Sequence, residues 1–203
     1  KSYFCRPLND HTLNIALVTD GIHPFVMGGM QKHSFFLAKY LALEGVSVDV
    51  YHITPGDYSK DAAWATFTEG IPEKARDFLR LIPIDWPKHG KFPGHYVTAN
   101  WYYSNHMLPQ VVTHKYDIIY AQGFSSIAFK EISCPLIVNL HGLEMFQPAI
   151  NPKLWLQQRL LRWAARKVLR KSDYCVSFGG KLSAIYKKLD VPEEKLLLWL
   201  NGI

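Results

Sequence analysis

Leu13-Asn14-Ile15-Ala16-Leu17-Val18-Thr19 runs straight into Asp20-Gly21-Ile22-His23-Pro24-Phe25-Val26-Met27-Gly28-Gly29-Met30-Gln31-Lys32-His33. The first stretch is a continuous apolar run of strand length bounded by turn residues, which reads as a buried strand. A helical pattern follows over 30–44, where Phe36, Leu37, Tyr40 and Leu41 recur at helical spacing and Gly45 stands where a C-terminal cap belongs. A buried strand feeding a glycine pair at a helix start is how α/β proteins build an anion site. Glycines let the backbone approach, and free N–H groups with the helix dipole attract negative charge. The same pair also suits a tight strand-to-helix turn with no ligand at all.

Outward from this unit, apolar runs of strand length recur at 46–52, 79–84, 116–121, 135–140, 173–178 and 195–200. Strands alternating with helical patterns predict an α/β, Rossmann-like fold with a mostly parallel, doubly wound sheet. The stretch from Thr54 to Tyr103 breaks the rhythm with five prolines and the aromatics Trp64, Trp86, Phe92, Tyr96, Trp101, Tyr102 and Tyr103. It reads as a surface excursion containing one strand. Packing against their own sheet is the plainer role for these aromatics, and gripping a substrate the sharper one.

Over 153–171 a helical wheel places Arg159, Arg162, Arg166 and Arg170 in one stripe, with Leu156, Leu160, Leu161, Ala164 and Val168 opposite. The pattern predicts a basic amphipathic helix whose apolar face belongs to the core. The stripe is either an ordinary solvated face or a patch for anionic lipid headgroups.

The chain has 203 residues, 48% hydrophobic and 14% aromatic, enough for a packed core, with no internal repeat and no long linker. One domain over 1–203 is expected. No apolar run approaches bilayer length, and the first residues carry no secretory h-region and no starting Met. Cys5, Cys134 and Cys175 are an odd, scattered trio without CxxC spacing, which suits a reducing cytoplasm. The net charge of +6 favours an anionic partner, yet no Lys/Arg block or nucleic-acid motif is present. The first loop lacks G-x-G-x-x-G. Asp49 lies about where a ribose-binding acid would, but without that loop the pattern is no dinucleotide fingerprint. No Cys or His pair has zinc-ligand spacing, so neither a metal nor a cofactor is expected.

Four places carry a family likeness: Pro24, Gly28-Gly29 and His33 as P-x-x-x-G-G-x-x-x-H; the strand at Tyr116-Asp117; Asn139-Leu140-His141-Gly142 after the next strand; and Ser172-Asp173 with the later Asn201-Gly202-Ile203. Together they resemble the N-terminal domain of a retaining glycosyltransferase of GT-B fold, family 4, the glycosyl transferases group 1 type. The resemblance spans nearly the whole chain. It implies the acceptor-side half of such an enzyme, with the Asn-Gly marking the crossing to a C-terminal donor-binding domain absent from this sequence. The isolated half is therefore expected to be inactive.

The resemblance further implies a nucleotide-sugar donor, a glycan or lipid-linked acceptor, no metal, and a cytoplasmic setting that becomes peripheral if the arginine stripe meets a membrane. Gly28 and Gly29 would form the donor diphosphate loop and His141, matching a histidine that contacts the donor sugar, would be the catalytic residue. Without the resemblance, a histidine at that place serves equally to cap a carbonyl. Glu144 faces the same choice between acceptor contact and helix capping. His33 would support the glycine loop, and Asp20 ends the strand or caps the turn. Three alternatives stand beside this reading: an inverting transferase using His23 as base oriented by Asp117 or Asp20, a sugar-nucleotide epimerase of the same architecture, and a non-catalytic membrane-docking module.

Overall fold

β1, Asn14–Val18, is an interior strand of the sheet. Its alternate side chains bury on opposite faces of the sheet, with Ala16 and Val18 in one core and Ile15 and Leu17 in the other. That two-sided burial is why the run shows no apolar/polar alternation. The computed structural model describes residues 12–53, 59–85, 94–130 and 132–199.

After β1 come α1 (Gly29–Leu43), β2 (Ser47–His52), α2 (Lys60–Thr68), α3 (Glu73–Arg76), β3 (Leu79–Pro83) and α4 (His95–Thr113). Then follow β4 (Ile118–Gln122), β5 (Leu136–Asn139), a 3-10 turn (Glu144–Phe146), α5 (Pro152–Lys171), β6 (Tyr174–Ser177), α6 (Gly180–Lys188), a second 3-10 turn (Glu193–Lys195) and β7 (Leu196–Leu198). The strands form one seven-stranded sheet in the order β3-β2-β1-β4-β5-β6-β7. Every pair is parallel, with Ala16 opposite Asp49 on one side and Ile119 on the other. Helices cover both faces. Phe35, Ala38 and Ala42 of α1 pack with Phe67 of α2 and Ala75 of α3, while Met107 of α4, Ala164, Ala165 and Val168 of α5 and Tyr186 of α6 share the other core. Each such fully buried large side chain contributes about 1.5–3 kcal/mol.

The order reverses direction between β1 and β4, since β2 and β3 lie to one side and β5, β6 and β7 to the other. Such a switch opens a crevice at the carboxyl ends of the strands, where open α/β sheets bind ligands.

Three sequence expectations need correction. The stretch 54–103 is no bare excursion: it holds α2, α3, β3 and the first half of α4, with Pro72 capping α3 and Pro83 closing β3. Trp64 and Tyr96 pack against the two cores, Tyr103 is fully buried, and Trp101 and Tyr102 stay exposed. Trp86 and Phe92 lie outside the described residues. On α1 the buried face is Ser34, Phe35, Ala38 and Ala42 instead, and Phe36 and Tyr40 stack on each other outside. Small Ala38 and Ala42 let the helix lie close to the sheet. On α5 the expected core face holds in part: Ala164 and Val168 are buried, together with Gln158, Ala165 and Leu169, and Leu161 packs against the core, whereas Leu156 and Leu160 are exposed. Asn201, Gly202, Ile203 and Cys5 lie outside the described residues.

Candidate functional site

β1 delivers Asp20 to the crevice. The carboxylate of Asp20 accepts from the Tyr96 hydroxyl at 2.8 Å and from Gln31 Nε2 at 3.3 Å, and burial raises its pKa. One residue earlier, the Thr19 carbonyl accepts from the Tyr103 hydroxyl at 2.7 Å. These bonds fix the departure of the chain from the strand before it turns back through 21–28 into α1.

No side chain caps the N-terminus of α1, and no acidic residue sits in its first turn. By contrast Ser59 caps α2 and Asn151 caps α5. The first N–H groups of α1 therefore point outward with the positive end of the dipole behind them. Among the described residues, nothing beyond the neighbouring backbone lies within 4 Å of the place a Cβ on Gly29 would take, so the helix start opens onto free space. At Gly28 an added Cβ would meet only the mobile end of Gln31. The Gly28 backbone is extended, with φ 168°, a conformation open to any residue.

His33 stands one turn into α1. Its Nδ1 accepts from Gln122 Nε2 at 3.1 Å, and burial lowers its pKa. Gln122 is the last residue of β4, and its Oε1 accepts from Nε2–H of His141. One amide thus bridges two imidazoles. The bridge assigns each ring a tautomer: His141 carries its proton on Nε2 and leaves Nδ1 as a lone pair, while His33 carries its proton on Nε2. Burial, with the neighbouring His33 adding, holds the pKa of His141 down to about 4, so its ring is neutral at physiological pH.

His141 is held in a left-handed backbone conformation, φ +59°, that side-chain-bearing residues rarely adopt. Asn139 fixes it. Asn139 Oδ1 accepts from the His141 N–H at 2.9 Å, and its amide donates to the Tyr120 hydroxyl at 3.1 Å. Phe178, just beyond β6, closes the cluster, its ring centroid 5.9 Å from that of His141 and 6.3 Å from that of His33. Glu144 begins the next 3-10 turn, and its carboxylate lies against the Gly142 backbone, where a Cβ would strike it.

α1, β4, β5 and the segment after β6 thus bring His33, Gln122, His141 and Phe178 together on one edge of the sheet. His23 stands apart. Its ring meets Phe35 edge-on at 5.5 Å, and its Nδ1 is buried without a hydrogen-bond partner. Asp20 is engaged by Tyr96 and Gln31, and Asp117 accepts from the Asn14 N–H at the opposite edge of the sheet. Neither carboxylate orients His23. Asp49 is likewise committed, paired with Arg80 and bonded by the Tyr116 hydroxyl. Gln122, Asn139, Tyr96 and Phe178 were not singled out as site residues by pattern. For Gln122 the one available signal was its place at the end of an otherwise apolar buried strand on the ligand-binding edge.

Two clefts lie elsewhere, one of about 760 Å³ along β3 and one of about 350 Å³ between the C-terminal ends of α5 and α6. Neither is lined by a residue of the Gln122 cluster, which sits at an open rim.

The profile described as Glycosyltransferase Family 4 matches residues 27–203, most of the chain. The chain belongs to glycosyltransferase family 4. No curated protein sequence matches it. Among solved structures, this family 4 chain is similar to sucrose-phosphate synthase from Thermosynechococcus elongatus, at 14% identity and a TM-score of 0.68, covering 94% of this chain and 48% of that one. It also resembles Anabaena HepE in complex with UDP, at 17% identity and a TM-score of 0.56, covering 94% and 44%. A third likeness is UDP-glucose: anthocyanidin 3-O-glucosyltransferase in complex with UDP, at 13% identity and a TM-score of 0.55, covering 95% and 53%. At such identities the likeness establishes the fold. The family 4 chain spans about half the length of these solved relatives.

Proposed function

We propose that this chain is the acceptor-side half of a retaining glycosyltransferase that moves a sugar from a nucleotide sugar to a glycan or lipid-linked acceptor. One observation carries the reading: the start of α1, uncapped and with open space over Gly29, lies at the sheet's switch point beside the Gln122-bridged histidines. Anabaena HepE, of the same fold, has been crystallised with UDP and with UDP-glucose, which supports a nucleotide sugar as donor.

In the proposed reaction the bond between the anomeric carbon and the diphosphate oxygen breaks, and the acceptor oxygen bonds to the same face of that carbon. The acceptor's proton passes to the departing phosphate. The task of this half is electrostatic and geometric. The N–H groups of α1 meet the diphosphate charge as it develops, without the reorganisation that water would need. His141, neutral and held by Asn139 and Gln122, offers the donor sugar a fixed hydrogen-bonding edge, and Glu144 faces the acceptor side. A companion domain supplies the rest of the donor site, so the isolated half does not turn over. Cys134 and Cys175 are free thiols, which supports a reducing cytoplasmic setting.

The test is Gly29→Ala in the full-length protein. Alanine meets no atom there and favours the helix, so the melting temperature is expected to hold or rise. Calorimetric titration with UDP, GDP and ADP is expected to find one nucleotide that the unaltered protein binds and the variant binds about tenfold or more weakly. Equal binding by the two proteins, or no binding of any of the three, overturns the reading.

A further inference from the structure

α5 is apolar on two faces. Toward the core it turns Gln158, Ala164, Ala165, Val168 and Leu169, with Leu161 packed beside them. Toward solvent it turns Trp155, Leu156, Leu160 and Trp163, at 48%, 49%, 37% and 54% exposure. Single exposed apolar residues need no account, but four on one helix face form a continuous patch. At 100° per residue these four, together with Arg159 and Lys167, fall within an arc of about 140°. The cations lie over the aromatics. The Arg159 guanidinium is 4.8 Å from the Trp155 ring and the Lys167 ammonium 5.1 Å from the Trp163 ring.

The charge on this face is of one sign. Residues 152–171 contain no Asp or Glu. At its C-terminal end the face runs into the cleft of about 350 Å³ lined by Arg166, Arg170, Lys188 and Lys195, with Asp190 the one acid in its wall. Two of the arginines read in sequence as one stripe part company here. Arg159 belongs to the open face, whereas Arg162 turns inward, donating to the Met145 carbonyl and, at 3.3 Å, to that of Gln147.

From this we infer that the outer face of α5 docks on an anionic phospholipid bilayer, with its tryptophans and leucines in the headgroup boundary and its arginines and lysines on the lipid phosphates. The chemistry matches a helix lying in the interface plane: apolar bulk reaching about 5–10 Å into the headgroup layer, aromatic rings at the polar boundary, and flexible cations snorkelling to phosphate. A second protein with an acidic, apolar groove would answer the same charge. The long straight array, about 22 Å from Trp155 to Arg170 at 1.5 Å per residue, favours a flat partner. No helix among the described residues is long and apolar enough to cross a membrane, and the contact inferred for α5 lies in the plane of the surface. The inference stands whether or not the chain handles a nucleotide sugar.

The experiment is flotation of the full-length protein, without nucleotide, on vesicles of phosphatidylglycerol with phosphatidylcholine and on phosphatidylcholine alone. Strong binding to the anionic vesicles is expected, falling at least tenfold on neutral ones and weakening with salt. Trp155→Ser with Trp163→Ser, and separately Arg159→Glu with Lys167→Glu, are each expected to cut partitioning at least tenfold at an unchanged melting temperature. No partitioning of the unaltered protein, or partitioning of both double variants at the unaltered level, overturns the inference. So does self-association on sedimentation that Trp163→Ser abolishes while vesicles are ignored, since that assigns the face to a second copy.

Discussion

The rings of His33 and His141 meet edge to face, their centroids 4.9 Å apart and their planes at 82°, although the two residues stand more than a hundred positions apart in the chain. What fixes the pair is the Gln122 amide, which gives its oxygen to one ring and its nitrogen to the other. Gln122→Leu keeps the bulk and removes both bonds. It leaves two part-buried ring nitrogens without that partner, at a cost of about 1–3 kcal/mol. Nitrogen-15 NMR of the ring nitrogens is expected to show His141 as a single Nε2–H tautomer in the unaltered protein and as a mixture in the variant. A single unchanged tautomer in Gln122→Leu would sink the bridging role.

The left-handed backbone at His141 predicts an inverted order of two substitutions. Alanine normally stabilises relative to glycine, but at φ near +60° an L-residue pays about 1–2 kcal/mol that glycine does not. His141→Gly is therefore expected to unfold at higher urea than His141→Ala, by about 1 kcal/mol. If alanine is the more stable, the loop is not left-handed. Both variants lose the ring, so under the proposed function both are expected to lower sugar transfer by the full-length protein.

Three buried or part-buried histidines set the acid limit. Burial holds His52 and His141 down to about 4 and lowers His33, against 6.5 for an unhindered imidazole. A histidine held below its unfolded value takes its proton later in the folded chain. The unfolded chain then binds more protons between pH 6.5 and 4, and stability falls as the pH drops through that window, being complete above it. For fully buried His52 alone the loss is of the order of 3 kcal/mol. Urea midpoints at pH 7.5, 6 and 5 are expected to decline steadily, and less steeply in His52→Gln. Parallel declines would remove His52 from the account.

Arg80→Ala tests the role of Asp49. The salt bridge joins a carboxylate 7% exposed to a half-exposed guanidinium, and removing the arginine leaves the buried Asp49 with the Tyr116 hydroxyl. A loss of about 1–3 kcal/mol is expected, with nucleotide binding untouched. Lost binding with unchanged stability would make Asp49 a candidate site residue.

The central strands were legible because burial on both faces writes an uninterrupted apolar run, as at Ile15–Val18 or Leu136–Val138. The places of the glycine pair at a helix start and of His141 after a buried strand were legible, while the roles expected of them came from the family likeness. Gln122 was not, because a single amide at the end of a strand has no periodicity to give it away and its partners arrive from two other elements. α4 was hidden by Pro109 within it and the proline-rich stretch before it. The faces of α1 and α5 were misread for one reason. A wheel ranks residues by hydrophobicity, whereas close approach to a sheet selects for smallness: Ala38, Ala42 and Ala165 took inner places beside the correctly read Ala164 and Val168, and Phe36, Tyr40, Leu156 and Leu160 stayed outside.

The guanidinium of Arg162 grips the carbonyls of Met145 and Gln147 from the middle of α5. It works as a strut between a surface element and the turn that carries Glu144. Through these bonds the middle of the helix is fastened to the lip of the crevice, three residues from His141.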